Sequence, residues 1–182
     1  MDKEEKVAEI KDILKELYRD VAEWLKFAEA KNGILLTITG VLLFGLLRML
    51  PIKLEWLMQY EKTLMFSSLI LIISMLVALA SYIPMLNINK KSKKEEKRKN
   101  PNLLYYKDIA AFTKEEYIVE MEKKYNIKIT NQEKAYIEDQ VDQILSLANI
   151  ALRKYKYFYI GVILVSLSLI NIIAKIFYTY LG

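Results

Sequence analysis

Two residue types are missing altogether: the 182-residue chain has no cysteine and no histidine, and it carries only five glycines and three prolines. Without cysteine there is no disulfide, no thiolate nucleophile and no cysteine-based metal site. Without histidine the commonest general base, the commonest metal ligand and the usual pH switch are gone. A Ser-His-Asp triad, a histidine-bound zinc hydrolase and a histidine-aspartate phosphohydrolase are therefore excluded. The scattered glycines form no G-x-x-x-x-G-K-[ST] phosphate loop. The opening MDKEEKVAEI is charged, with no apolar run ahead of a small-residue cleavage site, so no signal peptide is expected. These absences point away from an enzyme.

What the chain does have is apolar length. Hydrophobic residues make up 54% of it, concentrated in three blocks, 33–50, 64–86 and 157–181. A helix needs about 20 apolar residues to cross a bilayer core. The middle block has no charge; Arg48 ends the first and Lys175 is the one charge in the third. By our orientation both lie near the outer ends, where their side chains can snorkel to the interface. The pattern predicts an all-α integral membrane protein with three transmembrane helices.

Charge assigns the rest. Residues 1–32 carry net charge −2, the loop 51–63 is neutral, and 87–156 carries +5. The second span is followed by NKKSKKEEKRKNP, with seven lysines or arginines between Lys90 and Lys99. Basic residues beside a span stay in the cytoplasm, so 1–32 and 87–156 are expected inside and 51–63 outside. The basic run reads as a contact with anionic lipid, and no nucleic-acid partner is expected.

The inside segments read as helices. Val7, Ile10, Leu14, Leu17, Tyr18, Val21, Trp24, Leu25 and Ala28 recur at spacings of three and four, with no proline or glycine in 1–32. Thr113 with Glu116, and Thr130 with Glu133, are capping boxes that open two more helices. The last shows Ile137, Val141, Ile144, Leu145, Ala148, Ala151, Leu152 and Tyr155 on one face and runs into the third span without a breaker. The N-terminal helix and the 101–156 segment are expected to form a cytoplasmic helical bundle, packed within one chain or between chains. Two amphipathic helices that feed spans directly either transmit motion into the bilayer or merely anchor a bundle, and periodicity does not choose between these.

Groups able to bind something are few. Glu138, Asp139 and Asp142 cluster without EF-hand spacing and read as a solvated helix face, and no metal site is expected. Tyr105, Tyr106, Lys107 and Asp108 form an aromatic and charged patch that suits either a base and a phosphate or plain helix packing.

Four separated motifs resemble one family. EWLKFAEAKNGILLTITGVLL at 23–43, SYIPML at 81–86, NLLYYKDIAAF at 102–112 and EDQVDQILSLANIALRKYKYF at 138–158 are similar, in order and spacing, to the transmembrane effectors of Pycsar, the pyrimidine cyclase system for antiphage resistance. The likeness implies a non-enzymatic inner-membrane effector. It would be activated by cyclic CMP or cyclic UMP from a partner cyclase, breach the bilayer and halt the infected cell, acting as a homo-oligomer with no other cofactor. The alternative is a membrane-anchored helical scaffold without pore activity. The matching positions are Trp24, Phe27, Lys31 and Gly33, then Tyr105, Asp108 and Ile109, then Asp139, Lys154 and Tyr155. Of these the resemblance marks Lys31, Tyr105, Asp108, Lys154 and Tyr155 as candidate nucleotide contacts. Lys154 and Lys156 suit lipid headgroups as well as a ligand phosphate. Glu29 stands where the family often has aspartate, and Asn32 where it often has a small residue.

Overall fold

A computed structural model describes residues 3–50, 58–84, 100–126, 129 and 133–181; of residues 3–8 it describes only the backbone. The basic run 90–99, the Thr130 capping box and most of the 51–63 loop lie outside the described residues. The described residues form helices and no strand. Helix α1 runs Lys3–Met49, α2 Glu61–Ala80, α3 Tyr106–Ile109, α4 Lys114–Tyr125 and α5 Lys134–Leu181. Three of these, α1, α2 and α5, are long and apolar enough to cross a membrane. As the spacing predicts, α1 and α5 pass from amphipathic to wholly apolar sequence without a break.

The chain divides into two compact units. Met1–Phe27 and Pro84–Arg153 make the first; Ala28–Ile83 and Lys154–Gly182 make the second. Both long helices contribute to each.

The first unit is held by an ordinary apolar core. Ile10, Leu14, Leu17 and Val21 of α1 are buried with Ile137, Val141, Ile144 and Ala148 of α5, two stripes at alternating spacings of three and four. Each fully buried aliphatic side chain contributes roughly 1.5–3 kcal/mol by removal from water. Leu103, Ile109, Tyr117 and Met121 close the remaining side. Helix α4 opens with the expected capping box: Thr113 Oγ1 accepts from the Glu116 amide, and Glu116 accepts from the Thr113 amide. It ends at Asn126 in the left-handed conformation, φ 53°, which asparagine tolerates.

The second unit is organised differently. On α2 the buried positions Leu64, Leu71 and Ala78 alternate with Ser67 and Ser74 in a seven-residue repeat, which buried Ser81 extends beyond the helix end. Every step of seven along α2 meets a step of seven back along α5. Ser67 Oγ donates to the Ser168 carbonyl at 3.3 Å and Ser168 Oγ to the Ser67 carbonyl at 3.1 Å. Ser74 Oγ donates to the Gly161 carbonyl at 3.0 Å. Lys154 Nζ donates to the Ser81 carbonyl at 3.1 Å. At the opposite end Lys175 Nζ lies over the Tyr60 ring, 6.0 Å from its centre. From Tyr60 to Ser81 the ladder is about 31 Å long at 1.5 Å per residue, the thickness of a bilayer core. Gly161 allows close approach at its rung: a Cβ there would sit 2.5 Å from Leu35 Cδ2 of α1, which would have to shift, and 3.5 Å from Ser74 Oγ.

The second span is shorter as a helix than its apolar block. It stops at Ala80, where the expected segment runs to residue 86. Ser81 Oγ donates to the Ala78 carbonyl at 2.7 Å, competing with continuation of the helix. Pro84 disfavours helical backbone in the residue before it.

Two stability tests address the units separately. Tyr117 is 1% exposed, and its hydroxyl donates to the Leu103 carbonyl at 2.8 Å. Tyr117→Phe orphans that carbonyl and is expected to cost about 1–2 kcal/mol in thermal melts followed by circular dichroism. Burial pushes the Tyr117 phenol well above its ordinary value. The neutral form is the one the fold favours, so the stability it provides is complete below the unfolded tyrosine value and is lost as pH rises above it. Wild type should therefore lose more stability than Tyr117→Phe above about pH 10. In the second unit, Gly161→Leu overfills the rung and should cost about 1–3 kcal/mol in the same melts.

Candidate functional site

The five candidate contacts fall into two groups. Tyr105 and Asp108 belong to the first unit; Lys31, Lys154 and Tyr155 belong to the second.

Asp108 is a structural carboxylate. It is 6% exposed, and its Oδ2 accepts the Asn102 amide at 2.9 Å, while Asn102 Oδ1 accepts from Leu104 at 3.0 Å. Together they fold the turn that leads into α3. Tyr105 packs edge-on against Tyr106 at 4.8 Å and Trp24 at 5.9 Å, and Trp24 lies 5.3 Å from Tyr106. Aromatic contacts of this kind add about 0.5–1.5 kcal/mol beyond area burial. The YYKD patch is thus built into helix packing, and the half-buried faces of Tyr105 and Tyr106 are what remains for stacking.

The second group sits where α1, the end of α2 and α5 meet. Lys154 is nearly buried, 9% exposed. Besides the Ser81 carbonyl, its ammonium meets Glu29 Oε1 at 3.1 Å and lies 5.4 Å from the centre of the Tyr82 ring. Tyr82 Oη donates to the Glu29 carbonyl at 3.2 Å. Asn32 Nδ2 donates to the Ala28 carbonyl at 2.9 Å and, across to α5, to the Lys154 carbonyl at 3.0 Å. Gly33 gives Tyr82 room, since a Cβ there would be 3.2 Å from its hydroxyl. One turn of α1 is pinned to both other helices. Lys31, on the same turn, lies over the rings of Tyr155 and Phe158 at 5.5 and 5.4 Å.

The two lysines differ chemically. Lys154 is committed to Glu29 and a backbone carbonyl, so an incoming phosphate must displace both. Lys31 lies against two aromatic faces, and a cation so placed adds about 0.5–1 kcal/mol at an exposed site. Residue types alone did not single out Glu29, Asn32 and Tyr82 as site members. Glu29 and Asn32 are visible in the sequence as departures from the family pattern, and Tyr82 as a polar group at the end of an apolar block. Of the carboxylates at 138–142, Glu138 pairs with Lys134 at 3.9 Å and Asp139 is exposed.

Three helices of span length, two of them joined from end to end by polar contacts, define a multi-span α-helical membrane protein. The chain belongs to the Pycsar effector family: the family's sequence model, described as the Pycsar effector protein domain, matches residues 13–181. The match takes in all three spans and most of the first unit. No curated protein and no solved structure matches the chain. Membership makes it an antiphage-defence effector at a membrane, in a family of effectors rather than catalysts.

Removing one partner from the pinned turn separates the roles of the two charges. Lys154→Met leaves Glu29 and the Ser81 carbonyl without their cation and should cost about 1–3 kcal/mol in detergent melts. Glu29, about half exposed, keeps water when unpaired. Glu29→Gln should therefore cost clearly less. Equal losses would show that the ion pair, and not the Lys154–Ser81 bond, holds the turn.

Proposed function

We propose that a cyclic pyrimidine mononucleotide, cyclic CMP or cyclic UMP, made by a partner cyclase on infection, activates this protein, which then breaches the inner membrane and stops the infected cell. The observation that carries the reading is the continuity of α1 and α5. Each passes from the polar unit into a span as one helix, with no turn where the two units divide. A ligand bound to polar helices can act on the bilayer only through elements that reach into it, and it must bind one of two states more tightly.

The orientation that goes with this reading places 1–32 and 87–156 in the cytoplasm, beside the cyclase product, because the basic residues gather there. In the second unit Lys31 with Tyr155 supplies a cation and a ring, and in the first unit Tyr105 is a separate candidate aromatic contact. Asp108 and Lys154 act by holding the turn and the helix junction that carry them. Three spans are few for a pore, so the active form is a homo-oligomer.

Dye release from liposomes tests this directly. Purified protein should release dye with cyclic CMP or cyclic UMP and not with cyclic AMP, and Lys31→Ala should raise the nucleotide concentration needed. Silence with all three nucleotides, from inserted and folded protein, would favour a membrane-anchored scaffold.

A further inference from the structure

The polar contacts of the second unit are distributed unevenly among its three helices. Between α2 and α5 they recur along the whole span, from Lys154 on the Ser81 carbonyl through the Ser74 and Ser67 rungs. Beyond these, Asn171 Nδ2 donates to Ser67 Oγ at 2.9 Å. Between α1 and that pair they gather at Glu29, Lys31 and Asn32, within one turn.

Beyond that turn Leu35 and Thr39 are the buried residues of α1, and the side chains from 40 to 49 are half-buried or exposed. Thr37 and Thr39 donate to the carbonyls of Gly33 and Leu35, four residues back, so these hydroxyl bonds stay within α1. Leu35 against Gly161 is the last close contact that glycine permits. A Cβ at Gly40 or Gly45 would meet nothing within 4 Å. No residue of α1 from 40 to 49 is buried, while Leu64, Ser67 and Ser168 of the other two helices are. A cavity of about 650 Å³ opens between Leu46 and Met49 of α1 and Leu64, Ile172 and Ile176 of the pair. Ser68 of α2 lines a second groove with Leu47, and its buried hydroxyl finds no hydrogen-bond partner.

We propose that α2 and α5 form one rigid hairpin and that α1 is a hinged helix, pinned to it at Glu29 and Asn32 and free to swing at its Met49 end. In lipid, helices associate by close packing and hydrogen bonds and not by exclusion of water. A helix face lacking both has lipid as an equal competitor. The distance from Asn32 to Met49 makes a lever roughly 26 Å long at 1.5 Å per residue. A tilt of about 10° at the pin then moves the far end by roughly 4–5 Å, a displacement that small rotations at packed interfaces deliver in known switches. The swing gives the proposed membrane breach its moving part, and in that respect it rests on the functional reading. The hinge itself does not require it.

The absence of cysteine permits spin labels at chosen sites with no background. Cysteines at the exposed positions Phe44, Phe66 and Ile170 label α1, α2 and α5 toward the Lys175 end; Ala30 and Tyr159 label α1 and α5 toward the pin. In liposomes without nucleotide, the 66–170 and 30–159 distance distributions should be narrow. The 44–170 distribution should be about twice as wide or split in two, the mark of a helix sampling two positions. A 44–170 distribution as narrow as 66–170 would overturn the hinge. A broad 66–170 distribution would overturn the rigid hairpin. Because neither readout needs a ligand or leakage, failure of the nucleotide reading would show separately, as dye retention by protein whose 44–170 distribution is broad.

Discussion

The hydrogen-bonded ladder between α2 and α5 is the constraint on which the second unit depends. Water drives apolar surfaces together in the first unit, but hydrocarbon solvates them well, and association there must come from close packing and polar contacts. A serine on every second seam position supplies both. It is small enough to let the helices approach, and at Ser67 and Ser74 the hydroxyl reaches a backbone carbonyl of the neighbour. Gly161 performs the same service from the other side, with Leu35 of α1 and Ser74 of α2 occupying the space its missing side chain leaves. A lysine stands at each end of the seam, Lys154 at one and Lys175 at the other, both with an aromatic ring within 6.0 Å.

The first unit obeys water's rules within the same two long helices. The stripe of α1 from Ile10 to Val21 and that of α5 from Ile137 to Ala148 are buried by apolar partners, and polar residues serve at the edges, as in the Asn102–Asp108 turn and the Thr113 capping box. One helix thus satisfies two solvents in succession. On the proposed reading, in which a polar ligand acts on an apolar bilayer, this succession is the useful property. It needs no linker within either helix.

The fold was largely legible in the sequence because its signals are long. Spacings of three and four through Ala28, and from Ile137 to Tyr155, mark helices that then enter apolar blocks of span length. Thr113 with Glu116 marked the start of α4 to the residue. The end of α2 was less legible, since apolar character continues past Ala80 to residue 86 while Ser81 and Pro84 stop the helix. The site was legible only in part. Lys154 and Asp108 carry charge, which draws attention as ligand chemistry, yet both are nearly buried and engaged in holding backbone. The ladder was readable in principle as serines at 67, 74 and 81. Its partners on α5 include a glycine and a lysine, so the seven-residue match emerges only when the two helices are paired in space.

The account's central claim is that α2 and α5 act as one body while α1 moves. Cross-linking with a short bifunctional thiol reagent tests it in functioning protein. One variant carries cysteines at Ser67 and Ser168, the other at Leu46 and Ile172. Joining 67 to 168 should leave nucleotide-triggered dye release as it is in the unlinked protein. Joining 46 to 172 should abolish it, and a cleavable reagent should restore it on reduction. Loss of release on joining 67 to 168, or full release with 46 joined to 172, would contradict the account.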